Sequence, residues 1–331
     1  MYQFRLLVGT IAATLALTAC GRTGANSGLT KVTLNEVAHS VFYAPQYAAI
    51  GLGYFEEEGI DLTLVNGAGA DKVMTALLSG DADIGFMGSE ASIYTYANGA
   101  EDYAVNFAQL TQRAGNFLVG RKADPDFTWE NLRGTKVLGG RAGGMPEMVF
   151  EFILKKYGID PQSDLTIDQS ISFGLTAAAF TSDDSDYTVE FEPYATSLEL
   201  EGNGTVVASL GTESGYVPYT AYCARKSYIA AHPDVVQEFT NAIQKGLEYV
   251  NTHSSEEIAR TIQPQFPETP LENLINIIGR YQSQDTWKND TIFEESSFDL
   301  LQNILEEAGE LKNRVPYTDL VTTEYSEAAL R

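Results

Sequence analysis

The chain has 331 residues, of which 44% are hydrophobic and 20% charged, and its formal net charge is −24. This length and apolar content suffice for two ordinary domains with hydrophobic cores, and the composition excludes a disordered protein. The acidic balance argues against nucleic acid as a partner, because Lys and Arg are the residues that neutralise phosphate backbones. Beyond the N-terminal segment, no apolar run is long enough to span a bilayer.

The N-terminal residues have the pattern of an export signal. Arg5 supplies a positive charge, an apolar stretch follows, and residues 17–20 are Leu-Thr-Ala-Cys. This tetrapeptide resembles a bacterial lipobox, in which the cysteine becomes the lipid-modified first residue of the mature chain. We therefore expect a lipoprotein signal peptide at residues 1–19, a lipid anchor on Cys20 and a flexible tether at residues 20–29. The alternative is an ordinary signal peptide or an uncleaved anchor.

Residues 32–92 repeat one strand–helix unit. Strands are predicted at residues 32–37, 60–65 and 83–87, and helices at residues 43–52 and 71–78. The strands are rich in β-branched residues, whereas the helices carry apolar residues at helical spacing and end near glycines. Such alternation predicts right-handed crossovers and a parallel sheet. The loops at the carboxyl ends of its strands share one edge, where ligands bind.

Three loops are therefore expected at this edge of the first sheet. They contain His39 and Ser40, then Gly67, then Ser89 and Glu90. Ser89 stands where an N-cap of the next helix is expected, so its hydroxyl and the following N–H groups are suited to an acceptor or an anion. The alternative is that Ser89 only caps its helix.

A second strand–helix unit follows, without close sequence similarity to the first. Strands predicted at residues 106–111 and 117–120 lead out of the first unit. The strands of the second unit are predicted at residues 136–138, 165–167, 187–191 and 205–210, and its helices at residues 145–157, 175–180 and 194–200. A glycine-rich loop at residues 139–144 precedes the helix that Pro146 opens. The loop has neither Walker nor dinucleotide-binding spacing, so Arg141, Gly143 and Gly144 predict a helix-start cradle for a polar or anionic group. A plain turn is the alternative.

The last third of the chain returns to the first unit and becomes helical. A strand is predicted at residues 219–224, and helices at residues 233–250, 255–262, 270–281 and 296–311. The apolar stripes of these helices must be covered, most simply by the outside of the two units.

Several motifs of this chain occur together in one known family. They lie at residues 42–49 (Phe-Tyr-Ala-Pro-Gln-Tyr-Ala-Ala), 53–62 (Gly-Tyr-Phe-Glu-Glu-Glu-Gly-Ile-Asp-Leu), 78–85, 129–137, 192–194 and 232–236. Over residues 30–260 the chain resembles solute-binding proteins of ABC importers, in the subfamily of nitrate, sulfonate and taurine, and thiamin-pyrimidine binders. The second motif is fairly specific for the subfamily but does not name a ligand.

The resemblance implies an α/β, two-lobed periplasmic-binding-protein-like fold of type II. Each lobe would be a mixed sheet flanked by helices, with hinge crossings near residues 112–115 and 216–219. Lobe 1 would then comprise residues 30–112 and 220–331, and lobe 2 residues 113–219. The ligand would be held between the lobes as they close, and an ABC permease would recognise the closed form.

The expected ligand-binding residues lie on the predicted loops and crossings. They are His39, Ser40, Phe42, Tyr43, Gly67, Ser89, Glu90, Gln112, Arg113, Arg141, Gly143, Gly144, Glu190, Glu192, Tyr194 and Tyr219. Aromatic residues, which also include Tyr94 and Phe173, are suited to stack on a flat ring, although each alone is more often a core residue. Glu190 and Glu192 would accept hydrogen bonds from ring amino groups, or else are charges at a helix start.

The favoured ligand is a pyrimidine-like heterocycle related to thiamin precursors. The alternative within the same role is an aliphatic sulfonate, taurine or another small anion, which Arg113, Arg141 and the two helix starts would suit. We expect a monomeric receptor without catalytic residues, metal or cofactor, anchored by lipid on the extracytoplasmic side of the membrane. A thiamin-pyrimidine synthase is disfavoured, because Cys223 alone cannot supply the cysteine-rich iron motif of those relatives. A receptor that signals to a sensor partner is a further alternative.

Overall fold

The structure is a computed structural model, and it describes residues 28–171 and 174–331. The predicted signal peptide, Cys20, most of the tether and Phe173 therefore lie outside the described residues. The strands are β1 Thr30–Glu36, β2 Ile60–Asn66, β3 Ile84–Met87, β4 Ala104–Thr111, β5 Asn116–Gly120, β6 Lys136–Leu138, β7 Thr166–Asp168, β8 Tyr187–Phe191, β9 Thr205–Ser209 and β10 Thr220–Arg225.

The helices flank these strands, and short 3-10 turns occur at Val41–Tyr43, Trp129–Leu132 and Gln263–Gln265. The α-helices are α1 Ala44–Gly51, α2 Tyr54–Glu57, α3 Ala70–Ser79, α4 Glu90–Ala97, α5 Met145–Lys156, α6 Thr176–Ser182, α7 Tyr194–Leu200, α8 Leu210–Ser214, α9 Lys226–Ala231, α10 Pro233–Thr252, α11 Ser255–Ile262, α12 Leu271–Ser283, α13 Glu295–Glu307, α14 Tyr317–Leu320 and α15 Glu324–Ala329. No helix in the described part of the chain is long and apolar enough to cross a membrane.

The first sheet has five strands in the order β2-β1-β3-β10-β4. Strand β1 pairs in parallel with β2 and β3, as the strand–helix repeat predicts. The returning strand β10 inserts antiparallel between β3 and β4, so the sheet is mixed. Its start, at Thr220, therefore lies at the same edge as the carboxyl ends of β1 and β3.

The second sheet also has five strands, in the order β7-β6-β8-β5-β9. Strand β6 is parallel to β7 and β8, whereas β5 is antiparallel to β8 and β9. The chain passes from the first sheet to the second between Thr111 and Asn116, and it returns between Ser214 and Thr220. The predicted fold class is confirmed: two mixed sheets with flanking helices, linked by two crossings.

The C-terminal helices do more than cover the outside of the sheets. Helix α10 packs on α1, whereas α13 packs on α5 beside the second sheet. The end of α12 reaches the first crossing, where the Tyr281 hydroxyl donates to the carbonyl of Gly115 over 2.9 Å. The Gln284 side chain donates to the carbonyl of Ala114 over 3.1 Å. Helix α12 therefore braces the first crossing.

Candidate functional site

A cleft lies where the edges of the two sheets face each other. Its volume is about 770 Å³, its open mouth included. It is lined by Val37, Tyr43, Gly69, Ala70, Gly88, Glu90, Gly139, Gly140, Arg141, Gly144, Met145, Pro146, Thr176, Val189, Phe191, Tyr219 and Thr220. These residues follow β1, β2, β3, β6 or β7, lie in the last half of β8 or stand at the start of β10, which is the edge at which α/β folds bind ligands.

The first wall of the cleft comes from the first sheet and comprises Tyr43, Gly88, Glu90 and Tyr219. Tyr43 and Tyr219 are almost fully buried, at 4% and 3% exposure. Both rings pack on Phe42, with centroid distances of 5.1 Å and 5.6 Å. Phe42 itself is fully buried and does not line the cleft, so it supports the two rings from behind.

Glu90 places a carboxylate in this first wall. Its side chain is 4% exposed, and its Oε2 atom has no hydrogen-bond partner among the described residues. Burial raises the pKa of Glu90 to about 7, against the opposing effect of its own N–H, the Arg141 guanidinium and the N–H of Met145. A buried acceptor without a donor costs roughly 1–3 kcal/mol, and more when it is charged. The fold therefore holds a carboxylate in the cleft at a cost to its own stability.

The second wall consists of the loop Gly139–Pro146, Thr176, Val189 and Phe191. Gly140 and Gly143 have φ angles of 85° and 71°, in the left-handed region that glycine adopts readily. The loop leads into α5, whose N-terminus carries the positive end of the helix dipole. Arg141 is exposed on the loop. This wall is made mainly of backbone and apolar surface.

The two walls already touch at the glycine loop. The Tyr94 hydroxyl of α4 donates to the carbonyl of Gly143 over 3.3 Å. The N–H of Gly143 donates to Glu147 Oε2 over 3.1 Å. Both backbone groups of Gly143 are therefore engaged. The N–H of Gly144 donates to the carbonyl of Arg141 over 3.3 Å, so neither glycine N–H of the predicted cradle is left for a ligand.

The predicted acids of the second sheet do not line the main cleft. Glu190 is 2% exposed, and it accepts hydrogen bonds from Thr188 over 2.6 Å and Thr176 over 3.0 Å. Glu192 is fully buried, with Oε1 2.6 Å from Arg280 Nη1 and Oε2 accepting the N–H of Thr196. Both carboxylates thus have internal partners.

A second opening lies beside the main cleft and shares Val37 and Phe191 with it. It is also lined by Ala38, His39, Ser40, Asn66, Ala68, Gly174, Glu192 and Tyr194. The Ser40 hydroxyl donates to the carbonyl of Glu192 over 2.8 Å, so it bridges the two halves of the molecule. Tyr194 is 41% exposed.

His39 at this opening is tied into the first half of the molecule. Its Nδ1 lies 2.8 Å from Glu36 Oε1 and its Nε2 2.8 Å from the carbonyl of Gln265. Both partners are acceptors, so the geometry suits the doubly protonated imidazolium. The hydrogen bond to Glu36 raises the pKa of His39.

The other predicted site residues lie outside both openings. The Ser89 hydroxyl donates to the carbonyl of Pro218 over 2.7 Å. The interpretation of Ser89 as a side-chain helix cap is therefore wrong. Gly67 packs against Asn35, Gln112 donates to the carbonyls of Asp285 and Trp287, and Arg113 stacks on Tyr216.

The structure thus brings together part of the predicted set. Tyr43, Glu90, Arg141, Gly144 and Tyr219 meet in the main cleft. The cleft is also lined by residues outside the predicted set, among them Met145, Thr176, Val189 and Phe191. Phe191 ends a predicted strand at the binding edge, and this position was the available signal for it.

Metal ligation finds no support in the described residues, which contain no cluster of three or more His, Cys, Asp or Glu suited to hold an ion. Cys223 is 1% exposed in β10, and burial raises the pKa of its thiol to about 12. A thiol in this setting is a core residue rather than a nucleophile or metal ligand.

Solved structures with this architecture include solute-binding proteins. The nitrate-binding protein NrtA from Synechocystis PCC 6803 superposes with a TM-score of 0.75 and 14% identity, over 91% of this chain and 88% of that one. The alkanesulfonate-binding protein SsuA from Xanthomonas axonopodis pv. citri, bound to MOPS, gives a TM-score of 0.71 and 16% identity, over 88% and 98%. The fold is therefore that of periplasmic binding proteins.

The family follows from the sequence comparisons. A family model described as NMT1/THI5 like matches residues 41–257. YtlA of Bacillus subtilis, named for a binding role without a stated ligand, is 44% identical over 97% of this chain and 95% of its own length. A 4-amino-5-hydroxymethyl-2-methylpyrimidine phosphate synthase of Aspergillus parasiticus is 25% identical over 63% of each chain. The chain belongs to the NMT1/THI5-like family, which confirms the resemblance drawn from its motifs.

Proposed function

We propose that this protein is the extracytoplasmic solute-binding receptor of an ABC importer. The observation that carries the proposal is the cleft between the two sheet edges, with two buried tyrosines and an unpaired carboxylate in its first wall. The binding role in the name of YtlA and the folds of NrtA and SsuA support it. The receptor closes on its ligand, and permease subunits are its protein partners.

The anchoring and the lobe boundaries are parts of the same proposal. Residues 1–19 are removed as a signal peptide, Cys20 is lipidated, and residues 20–29 tether a monomeric receptor to the cell envelope. Residues 30–112 and 220–331 form lobe 1, and residues 113–219 form lobe 2. The crossings near Thr111 and Thr220 support these boundaries.

The ligand that the cleft suits best is a pyrimidine-like heterocycle. Tyr43, Tyr219 and Phe191 offer ring surfaces on both walls, and flat ligands stack well on such rings. Glu90 offers an acceptor to a ring amino group. Relatives named as aminopyrimidine phosphate synthases support a ligand of this kind.

A small sulfonate or another anion is the second candidate. The start of α5 and the exposed Arg141 favour it, because helix N-termini and guanidinium groups attract anions. SsuA bound to MOPS supports it through the shared fold alone.

Catalysis is not part of the proposed function. The relatives named as synthases suggest an enzyme as the alternative, but the similarity to the Aspergillus parasiticus synthase covers only 63% of each chain. Buried Cys223 offers no reactive thiol, and the paired carboxylates outside the cleft have structural partners. The receptor role accounts for the cleft without a chemical step.

A thermal-shift screen of the full-length chain, purified in detergent, tests the proposal. Aminopyrimidines, thiamin precursors, taurine, alkanesulfonates and nitrate are the compounds. A ligand at a hundredfold excess over its Kd stabilises the folded protein by about 2.7 kcal/mol. Tyr43→Ala removes the stabilisation, whereas Tyr157→Ala, an exposed tyrosine outside the cleft, keeps it.

The pattern of stabilisation separates the candidates. Stabilisation by heterocycles alone supports the first candidate, and stabilisation by sulfonates alone supports the second. A protein that no compound of either class stabilises contradicts the proposed ligands.

A further inference from the structure

Glu90 differs from the other buried carboxylates of the molecule. Glu36 accepts hydrogen bonds from the Gln46 amide and the Tyr47 hydroxyl, each over 2.8 Å. Glu190 is bonded by two threonine hydroxyls, and Glu192 by Arg280 and a backbone N–H. Among the described residues, Glu90 is the acid with a buried oxygen that no donor reaches. This acid is also the one in the first wall of the cleft.

The local chain is built to keep this carboxylate in place. A Cβ atom at position 88 would lie 2.1 Å from Glu90 Oε2 and 2.6 Å from Oε1. The side chain therefore folds back over Gly88, in space that only glycine leaves free. A carboxylate seated in this way is a fixed feature of the wall rather than a mobile surface group.

The same carboxylate faces the positive groups of the second wall. Arg141 and the N–H of Met145 at the start of α5 are close enough to favour its ionised form. These are the two groups that favour an anionic ligand. In this structure the carboxyl group of a protein side chain already faces them, in the place that an anion would take.

We propose that Glu90 determines ligand class, so that the cleft takes a flat heterocycle bearing an amino or amidinium group and excludes small anions. An N–H of the ligand donates to the Glu90 carboxylate while its ring packs against Tyr43 and Tyr219. A sulfonate or nitrate at the same place meets the carboxylate, and like charges at close range repel. This inference rests on the proposed receptor function and narrows its ligand.

The test compares Glu90→Gln with Glu190→Gln in the full-length chain. Glu190 is the matched control, because it is equally buried and its pKa is also raised to about 7 by burial, but it does not line the cleft. Calorimetric titrations use 4-amino-5-hydroxymethyl-2-methylpyrimidine, its analogue with hydrogen in place of the amino group, and methanesulfonate.

Two changes are expected of Glu90→Gln. The wild-type preference for the amino compound over its analogue falls by about 10- to 100-fold, the range for a hydrogen bond to a charged group. Methanesulfonate binding increases at least about tenfold, because the groups that face Glu90 are released for an anion. Glu190→Gln leaves both quantities within a factor of about three of wild type, as expected for a site outside the contact.

Gly88→Ala provides a second variant in which the charge is kept. The added methyl displaces the carboxylate from its seat, so both quantities shift in the direction of Glu90→Gln. The inference is overturned if wild type binds methanesulfonate as tightly as Glu90→Gln does. It is also overturned if the two glutamate variants have the same selectivity.

Failure of this inference is distinguishable from failure of the receptor function. The anion arm needs no knowledge of the native ligand, because it compares methanesulfonate binding between variants. If sulfonates stabilise the protein and Glu90→Gln does not change their binding, the receptor function stands and this explanation of its selectivity is wrong. A chain that no compound in the thermal-shift screen stabilises contradicts the receptor function for both proposed ligand classes, independently of Glu90.

Discussion

The two walls of the cleft differ in how they present polar groups. The first wall offers side chains that are at most 4% exposed, namely Tyr43, Tyr219 and Glu90. The second wall offers a glycine-rich backbone and Arg141, which is exposed to solvent. Buried side chains on strand ends are fixed by packing, whereas an exposed arginine adapts to what it meets. We therefore expect the first wall to select the ligand class and the second wall to enclose the bound ligand.

The walls are joined beside the first crossing by an ion pair whose acid, Glu192, is fully buried. Arg280 of α12 lies 2.6 Å from Glu192 and 2.9 Å from Glu199, both of the second half. Tyr281, the next residue, donates to the carbonyl of Gly115 at the crossing. This contact fixes how the second wall stands relative to the first.

Breaking this junction has the largest expected effect. Arg280→Ala leaves Glu192 fully buried and without its cation, and it lowers the free energy of unfolding by about 3–5 kcal/mol. Urea unfolding at pH 7 measures the change. Arg260→Ala removes an exposed pair with Glu256 and costs less than about 1 kcal/mol. Equal losses in the two variants contradict the buried junction.

The pH dependence of stability tests the cost of Glu90. Burial raises its pKa to about 7 from 4.5, so between these pH values the folded state binds the proton more tightly than the unfolded chain. Stability therefore falls as pH rises through this window, by about 1.4 kcal/mol per unit and about 3 kcal/mol in all. Glu90→Gln removes this contribution from the wild-type fall, and unfolding of both proteins at pH 5 and pH 8 measures the difference.

Glu190→Gln sharpens the comparison between the walls. The pKa of Glu190 is also raised to about 7 by burial, so its variant shows a similar loss of pH dependence. The two variants are therefore expected to change the pH dependence of stability alike, whereas only Glu90→Gln is expected to change ligand selectivity. A Glu90→Gln protein with the full wild-type pH slope contradicts the burial of an unpaired carboxylate.

The smallest effect is expected from the second wall. Arg141→Ala removes an exposed charge, so the affinity for the amino heterocycle changes by less than about fivefold. Calorimetric titration checks this, with Lys122→Ala, outside the main cleft, as control. A loss of more than tenfold assigns ligand recognition to the glycine loop and favours the anionic candidate.

Much of the fold was predictable from local pattern. Helix α11 has the bounds that its capping serine and apolar spacing predict, and β8 matches its β-branched run. The helix expected at residues 43–52 instead begins as a 3-10 turn at Val41 and becomes α1 at Ala44. Element type follows from neighbours in sequence, whereas the turn at an element's start depends on what its buried rings pack against.

For the site, the sequence predicted the sheet edge that forms the cleft but not all of the residues that line it. The rule for strand ends placed Tyr43, Glu90 and Tyr219 in the cleft, but it also selected Ser89 and Gly67, which pack elsewhere. In β8 the same rule selected Glu190 and missed Phe191, which lines the cleft. Successive side chains of a strand point to opposite faces, so the choice between these neighbours depends on which face meets the cleft.

Short-range periodicity and motifs were enough to predict the order of strands and helices, the family and the sheet edge that lines the cleft. Which buried acid has a partner at each oxygen, and which does not, was settled only by the packing of the whole chain. Glu192 meets Arg280 from 88 residues away, whereas Glu90 Oε2 meets no donor even though Arg141 faces the carboxylate. Hydrogen-bond partners of buried groups come from distant segments, so their presence or absence is fixed only when the chain is packed.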